Sequence, residues 1–434
     1  MYEGAMRIAR KLVERGYAAV FAGGCVRDFL MGRMPQDIDI ATDATPTEVA
    51  AIFDRAVLVG ASFGVVVVPE PPYMYDVATF RVEGPYTDGR HPSEVRFATQ
   101  KEDAQRRDFT INGMFYDPFE QVVIDYVGGQ TDLDAGLVRA IGDPDRRFDE
   151  DKLRMIRAVR FTARDGFSMD PATLAACQRR SAEILETSWE RIGVEIMKIM
   201  TQGNARFGLE MLDRTGLLDS VMPEVAAMRG VEQPSGHPEG DVFVHTLVML
   251  GFMGRAAPEI AFGTLLHDVG KPATIEYADR IRFPYHSRVG AGIARDLCER
   301  LRYPKRFSER VSAIVGDHMR FKDARQMKPS TLKRFLRLPH FVNLLEVHRL
   351  DCMASHGNMK NWSFCAAHLA GMSDVEKTRQ PLISGDDLIA LGYRQGPRFR
   401  EILTAVEDAW LEGKVKDPAS ARSFVVRMFP RRHS

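Results

Sequence analysis

The sequence predicts an α+β chain, with a small mixed-sheet head followed by an all-α remainder. Three observations carry this. Short β-branched stretches separated by turn residues are confined to positions 1–140. From about 141 onward the apolar spacing is helical almost throughout. A stretch at 226–240 holding Pro234, Gly236, Pro238 and Gly240 interrupts the helical part and reads as a linker. A length of 434 residues exceeds one ordinary core. The expected division is a head at 1–140, a helical neck at 141–225, a third domain at 238–356 and a helical tail at 357–434.

Within the head, the first helix is expected at about 4–15, ending at Gly16. "YAAVFAGG" reads as a strand entering a glycine turn, and "CVRDFLMG" resumes helical spacing. "DIDIAT" is a strand, and "TPTEVAAIF" opens a helix capped by Thr45 with Glu48 three residues on. "SFGVVVV" and "YMYDVATFRV" are further strands. "EGPYTDGRHPSEVRF" is a long loop. In the neck, "EDKLRMIRAVRFTARDGF" is an amphipathic helix, followed by helices in "PATLAACQRRSAEIL", "WERIGVEIMKIMT" and "FGLEMLDRTGLL". Helical blocks at about 241–355 and 375–434 complete the chain, the last ending in the basic "RRHS". Internal repeats and low-complexity tracts are absent from the sequence.

Composition narrows the class. Apolar content of 45% and charged content of 27% are those of a soluble globular protein. The formal net charge is zero, so a nucleic-acid partner has to be sought in local stripes of charge. Five scattered cysteines with no CxxC pair suit reduced thiols and a cytoplasmic location. The amphipathic N-terminus lacks the apolar core of a signal peptide. No run approaches the ~20 apolar residues that cross a bilayer, so no membrane partner is expected.

The first chemical signal is Asp37 and Asp39, separated by one residue on an expected strand, so that both carboxylates point to one face. Such a pair suits Mg²⁺, a hard cation preferring oxygen ligands. By itself the pair is often a solvated strand edge. Upstream, however, Gly23 and Gly24 place free backbone N–H groups at a helix start, where a triphosphate can approach. Arg27 follows one turn later and offers a guanidinium fork. Asp76, in "MYDVATFR", is a candidate third carboxylate from the next strand, with a solvent-facing residue as the alternative.

"GGCVRD" followed by "PQDIDIAT" resembles the head of the class II nucleotidyltransferases of the polymerase β-like superfamily, which contains CCA-adding enzymes and bacterial poly(A) polymerases. "RRDFTINGMFYDP", 106–118, is similar to the family segment that recognises ribose and phosphates. The resemblance implies that role for Arg107 and Asp108, with Arg106 beside them; Gly113 stands where the family commonly has alanine. "EDKLRMIRAVRF" resembles the family motif whose Asp and Arg read the Watson–Crick edge of CTP or ATP, which implies that task for Asp151 and Arg154. The chemistry agrees, since a carboxylate accepts from an exocyclic amine while a guanidinium donates to ring acceptors. Asp151, Arg154, Arg157 and Arg160 recur at three-residue spacing and are expected near one helix face, with Arg157 and Arg160 on phosphate or sugar. The ordinary alternative is a salt-bridged solvated face. "ERIGVE" resembles a bracing motif, which makes Arg191 and Glu195 structural.

The loop between Arg81 and Arg96 resembles the one that CCA- and A-adding members use to switch from C to A, with His91 where an Arg is common. Poly(A) polymerases carry a more basic stretch near the strand that here reads "GASFGVVVV".

A second constellation follows the order His245, His267–Asp268, Asp351, with "LLHDVGKP" its most specific piece. It resembles the HD-domain metal-dependent phosphohydrolases. Imidazole and carboxylate together suit a divalent ion of the Mg²⁺, Mn²⁺, Ni²⁺ or Co²⁺ kind. His286 and His318 match positions where two-metal HD domains place further ligands, which admits a binuclear site. His237, His340, His348, His356 and His368 read as ordinary structural or surface histidines.

The resemblance implies an enzyme that extends the tRNA 3′ end from CTP and ATP, with Mg²⁺ on Asp37 and Asp39 and pyrophosphate as product. The alternatives are an A-adding enzyme, a poly(A) polymerase, or an HD phosphohydrolase whose head binds nucleotide. The tail is expected to contact tRNA. None of these motifs sets an oligomeric state.

Overall fold

The computed structural model describes residues 1–58, 64–83, 95–233, 240–373, 377 and 381–430. The chain divides into two compact units, Met1–Ala226 with Gly254–Ala256 and Arg300–Tyr303, and the remainder.

The first unit holds both the sheet and the helices that follow it. Its strands are β1 (Ala19–Ala22), β2 (Asp39–Thr42), β3 (Val65–Glu70), β4 (Tyr73–Thr79), β5 (Arg81–Glu83), β6 (Val95–Phe97), β7 (Phe115–Asp117) and β8 (Val122–Ile124). Six of them form one sheet in the order β3-β4-β2-β1-β7-β8. The β2–β4 pair is parallel and the other pairs are antiparallel, so the sheet is mixed. β5 and β6 pair separately. The expected loop at 84–94, with His91, lies outside the described residues.

Helix α1 (Tyr2–Glu14) buries Ile8 and Leu12 at helical spacing. α2 (Gly24–Leu30) follows the glycine turn. α3 (Pro46–Ile52) starts at a full Thr45–Glu48 capping box, as the sequence predicts, and α4 (Gln100–Arg106) starts at a second, Thr99–Glu102. Val20, Ala22, Ala41, Phe80, Ala104 and Phe115 pack as a buried cluster beneath the sheet.

Then come α5 (Gly129–Asp134), α6 (Pro144–Glu150), α7 (Leu153–Asp165), α8 (Pro171–Arg180), α9 (Trp189–Thr201), α10 (Ala205–Arg214), α11 (Leu217–Val221) and α12 (Pro223–Ala226). α7, α9 and α10 pack on one another. The expected helix over "EDKLRMIR" is broken: α6 ends at Glu150, Asp151 is extended at φ −152°, and α7 begins at Leu153. The physical reason is capping. Asp151 Oδ1 accepts from the Leu153 N–H at 3.1 Å and so starts a new helix instead of continuing the old one.

The second unit is helical: α13 (Val242–Met253), α14 (Pro258–Leu266), α15 (His286–Arg300), α16 (Lys305–Asp317), α17 (Pro329–Leu336), α18 (Phe341–Ala354), α19 (Lys360–Gly371), α20 (Gly385–Ala390), α21 (Pro397–Leu411) and α22 (Pro418–Met428). α14 packs against α13, α16 and α18, which is why its sequence is apolar nearly all round. The tail helices bury their own cluster, including Leu388, Ile402, Val406 and Val425. In the linker, Glu232 bridges Asp241, while 234–239, with His237, lie outside the described residues, as does "RRHS". Among the described residues no helix is long and apolar enough to cross a membrane.

Candidate functional site

The first unit contains a cleft of ≈ 1360 Å³ lined by Gly23, Gly24, Arg27, Asp37, Asp39, Arg106, Arg107, Asp108, Asp151, Arg154, Arg157 and Arg160. The sequence therefore named residues that the fold brings to one place. Asp37 precedes the strand rather than lying in it, yet the alternation holds, with Asp37 and Asp39 exposed and Ile38 and Ile40 buried. Parallel pairing of Ile40 with Val77 sets Asp39 beside Asp76 on the next strand. Desolvation by the cleft walls, then the charges of Asp37 and Asp76, push the Asp39 carboxyl up to about 6 against the pull of Arg107. Desolvation and Asp37 likewise raise Asp76. Mutually repelling carboxylates of this kind fit a divalent cation, which would relieve the repulsion with the oxygen ligands it prefers.

Gly23 adopts φ +75°, and a Cβ there would meet Arg107 Nη1 at 3.0 Å. Glycine therefore serves both the turn and the close approach of the guanidinium.

The arginines are less free than the sequence suggests. Arg27 is 2% exposed. Its Nε and Nη2 donate to Asp28 Oδ1, and its Nη1 donates to Asn112 Oδ1. The expected phosphate fork is thus occupied by protein acceptors, because a guanidinium buried at this depth needs fixed partners. Arg106 and Arg107 divide Asp103 between them, Arg106 on Oδ1 and Arg107 on Oδ2. Arg157 donates from Nε and Nη2 to Asp108 Oδ2 at 2.8 and 2.5 Å. Burial disfavours the Asp108 charge, but Arg157 and then Arg154 bring its carboxyl down to about 2. Arg160 pairs with Glu195 at 2.6 Å, both buried. Arg154 and Arg160 are buried rather than solvated, and Asp151, off the helix, faces Arg191 at 2.7 Å instead of its expected neighbours.

Asp151 and Arg154 nevertheless keep hydrogen-bonding capacity toward the cleft. Arg154 donates from Nη1 to Glu150 and the Arg147 carbonyl, and from Nη2 to the Arg106 carbonyl. Its Nε–H and a second Nη2–H have no partner among the described residues. Asp151 accepts from Leu153 N–H and twice from Arg191, leaving one lone pair on Oδ2. Sequence reasoning missed Asn112 and Asp103, which hold the arginines, and Lys198 and Arg255, which also line the cleft. Asn112 stands inside the quoted "RRDFTIN" and was legible as a polar residue in an apolar setting. Nothing local marks Arg255.

In the second unit, His245, His267 and Asp351 bring ligand atoms within 4.8 Å of one another, and so do Asp268, His286 and His318. Asp268 reaches both sets: its Oδ2 lies 3.1 Å from His267 Nε2, and its Oδ1 lies 3.6 and 3.8 Å from His286 and His318 Nε2. It lies between the two sets because His267 and Asp268 are consecutive residues just past the end of α14 and point to different partners. Gly270 allows α15 to close on this turn, since a Cβ would fall 2.1 Å from the His286 carbonyl.

His267, His286 and His318 each set Nδ1 on the carbonyl three residues back, at 2.9, 2.9 and 2.7 Å. That bond places the proton on Nδ1 and leaves Nε2 as the metal-facing lone pair. Burial lowers His318 to about 4, so it is neutral and able to ligate near neutrality. Burial opposes the His267 charge, but Asp268 and then Asp351 raise its value above the ordinary one; a bound cation would displace that proton. Lys271, absent from the sequence argument though written in "LLHDVGKP", contacts Asp268 at 2.6 Å and donates to Gln233. Of the other histidines, His340 pairs with Asp317, His348 stacks on Phe321, and His356 and His368 are exposed.

The first unit thus sets carboxylates on a sheet facing basic helices, the arrangement a nucleotidyltransferase needs, and the second carries two histidine–carboxylate clusters that could hold metal ions. Family models agree: the poly(A) polymerase head domain matches residues 19–139, the probable RNA and SrmB-binding site of polymerase A matches 166–229, and the HD domain matches 242–338. The chain is similar to the class II tRNA nucleotidyltransferases and bacterial poly(A) polymerases over its head and neck, and to HD domains beyond them. It is 41% identical to the CCA-adding enzyme of Bacillus subtilis (strain 168) over 218 residues, which is 50% of this chain and 55% of that protein. The chain spans about half the length of the curated relatives it matches. The solved structure of the Bacillus stearothermophilus CCA-adding enzyme in complex with CTP superposes with a TM-score of 0.77 at 27% identity, covering 98% of this chain and 97% of that one. The Thermotoga maritima CCA-adding enzyme complexed with tRNA shares the fold, with a TM-score of 0.61 at 19% identity over 98% and 94% of the two chains.

Proposed function

We propose that this protein is a template-independent tRNA nucleotidyltransferase that adds C and A from CTP and ATP to the tRNA 3′ end. The observation that carries the reading is one cleft holding Asp37 and Asp39, the Gly23–Gly24 turn, and Asp151 with Arg154. Relatives named as CCA-adding enzymes, one of them solved with CTP, support it.

In this reading the 3′-hydroxyl attacks the α-phosphate, a new O–P bond forms, and the bond to pyrophosphate breaks. A Mg²⁺ ion held by Asp37 and Asp39 would favour the ionised hydroxyl and offset the charge of the leaving group. The backbone at Gly23–Gly24, with Arg107, receives the triphosphate. Arg27 acts at one remove, fixing the Asn112 and Asp28 side chains that shape the turn. The free Oδ2 lone pair of Asp151 accepts the exocyclic amine of cytosine or adenine, and the free N–H groups of Arg154 donate to the ring nitrogen beside it. Uracil and guanine present the opposite pattern. Asp108 has Oδ1 on the Phe109 N–H and Asn112, so its ribose role draws on the remaining lone pairs. Positioning and charge neutralisation supply most of the rate.

The assay is extension of tRNA transcripts ending before CCA, after C and after CC, with CTP and ATP singly and together. Completion of all three to CCA is the expected result. One A on the CC-ended transcript alone means an A-adding enzyme, and a long A ladder means a poly(A) polymerase.

The two histidine–carboxylate sets favour a second reaction, metal-dependent phosphoester hydrolysis at the HD centre, with a divalent transition metal as its cofactor. Five free, buried thiols suit a cytoplasmic location.

A further inference from the structure

Gln233 lies in the stretch whose composition reads as a linker, yet its backbone is fixed. Its N–H donates to the Gly240 carbonyl at 2.9 Å, and the Val242 N–H donates to the Val231 carbonyl at 3.0 Å. Asp241, which bridges Glu232, accepts from the Val244 N–H at 2.9 Å. This short pairing is thereby fastened to the start of α13, the helix that carries His245. Gln233 itself is 8% exposed.

Charge orients its amide. Lys271 Nζ donates to Gln233 Oε1 at 2.5 Å and contacts Asp268 Oδ2 at 2.6 Å. Turned over, the amide would set N–H groups against an ammonium. Oε1 therefore faces Lys271, and Nε2 presents an edge that can only donate. Nε2 is buried and has no hydrogen-bond partner among the described residues. Folded proteins seldom leave such a donor unanswered, because its desolvation is then uncompensated. His267 Nε2, the atom left for a metal, is buried without a hydrogen-bond partner as well. The two atoms stand at the ends of one chain of contacts, from His267 through Asp268 and Lys271 to Gln233. One end awaits a cation and the other awaits an acceptor.

We propose that Gln233 belongs to the HD centre and donates from Nε2 to a terminal oxygen of the phosphoryl group that the centre takes, with Lys271 as the residue that positions it. Terminal phosphoryl oxygens accept and do not donate, which matches the edge that Gln233 presents. The ammonium beside the amide favours an anion there over a neutral acceptor. The inference rests on the reading that this centre hydrolyses phosphoesters, and it adds a residue outside the histidine–carboxylate clusters that binds the phosphate.

The test uses the full-length protein loaded with Mn²⁺ and titrated with inorganic phosphate in a calorimeter. Binding at this centre is the part that His267→Ala abolishes. Gln233→Glu keeps the side-chain length and an acceptor for Lys271 but has no N–H, whereas Gln233→Ala lacks both. A residue that merely ties the linker to Lys271 would make Gln233→Ala the weaker binder and leave Gln233→Glu like the wild type. A donor to phosphate gives the opposite order, because the new carboxylate repels the anion. Gln233→Glu is expected to bind phosphate about 10- to 100-fold more weakly, with metal content by elemental analysis unchanged. Wild-type affinity in Gln233→Glu, or a larger loss in Gln233→Ala, overturns the proposal. Loss of metal from Gln233→Glu also overturns it, in favour of a structural role. Hydrolysis of p-nitrophenyl phosphate by the wild type is measured alongside. Its absence with the expected order of phosphate binding defeats the hydrolysis reading alone, and absence of phosphate binding by the wild type defeats both.

Discussion

The cleft of the first unit and the histidine–carboxylate clusters of the second set carboxylates in opposite surroundings. Asp37 and Asp39 are exposed at the floor of a cleft of ≈ 1360 Å³. His245, His267 and Asp268 are 1–3% exposed, His245 facing Asp351 at 3.2 Å and His267 facing Asp268 at 3.1 Å. The first arrangement leaves space for a nucleotide and a polymer end, and depends on them and on a cation to complete it. The second is preorganised, since the Nδ1 atoms of His267, His286 and His318 are committed to backbone carbonyls before any metal arrives. An open site gains specificity from the groups lining it, whereas a closed one gains it from the few atoms that can enter.

The sharpest way to break this comparison is to disable each site separately. Asp39→Ala is expected to lower nucleotide addition by about 10³-fold or more, comparable with removal of a principal electrostatic stabiliser, while leaving metal-dependent phosphoester hydrolysis within about twofold. His267→Ala should do the reverse, abolishing hydrolysis and metal retention measured by elemental analysis. Loss of both activities in either variant would show that the sites are not independent.

Next in size is the buried ion pair behind the basic wall. Arg160 and Glu195 are 9% and 4% exposed at their side chains. Glu195→Ala strands a buried guanidinium and is expected to destabilise the fold by about 3–5 kcal/mol, read from urea denaturation. A change below about 1 kcal/mol would mean that the arginine finds water in the cleft.

Base selection should respond more modestly. Arg154→Ala is expected to reduce discrimination for CTP over UTP by about 1–3 kcal/mol, the usual worth of a bidentate base contact, measured as a ratio of kcat/KM values. An unchanged ratio would move the reading of the base to other residues.

The smallest effect concerns pH. Asp108 has its carboxyl lowered to about 2 from 3.8. Its contribution to stability is therefore complete above about 4 and is lost as pH falls from about 4 to about 2. The stability difference between wild type and Asp108→Asn should shrink across that window. A difference independent of pH there would deny the ion pair with Arg157.

Much of the head was legible because its signals are local. Period-two alternation puts Asp37 and Asp39 on one face even though the strand begins at the second of them. The capping box at Thr45 is readable from two residue types at fixed spacing. The break within Glu150–Arg164 is not legible in the sequence, because apolar period alone does not show that the Asp151 carboxylate turns back onto the Leu153 N–H. The free-arginine picture fails at Arg27 because burial turns its guanidinium onto adjacent Asp28 and onto Asn112, 85 residues away, and helical spacing alone does not show that burial.

The sequence by itself determined which chemical groups are present and at what local spacing: the Asp–x–Asp pair, the His–Asp dipeptide, the arginines of α7. Tertiary structure alone decided their partners. It set Asp268 between His267 on one side and His286 and His318 on the other, joined Asp351 to His245 across 106 residues, and set Arg157 on Asp108 across 49. The physical reason is that a strand or helix period dictates direction over a few residues, whereas a buried charge takes whichever counter-charge the packing of distant elements brings within hydrogen-bond reach.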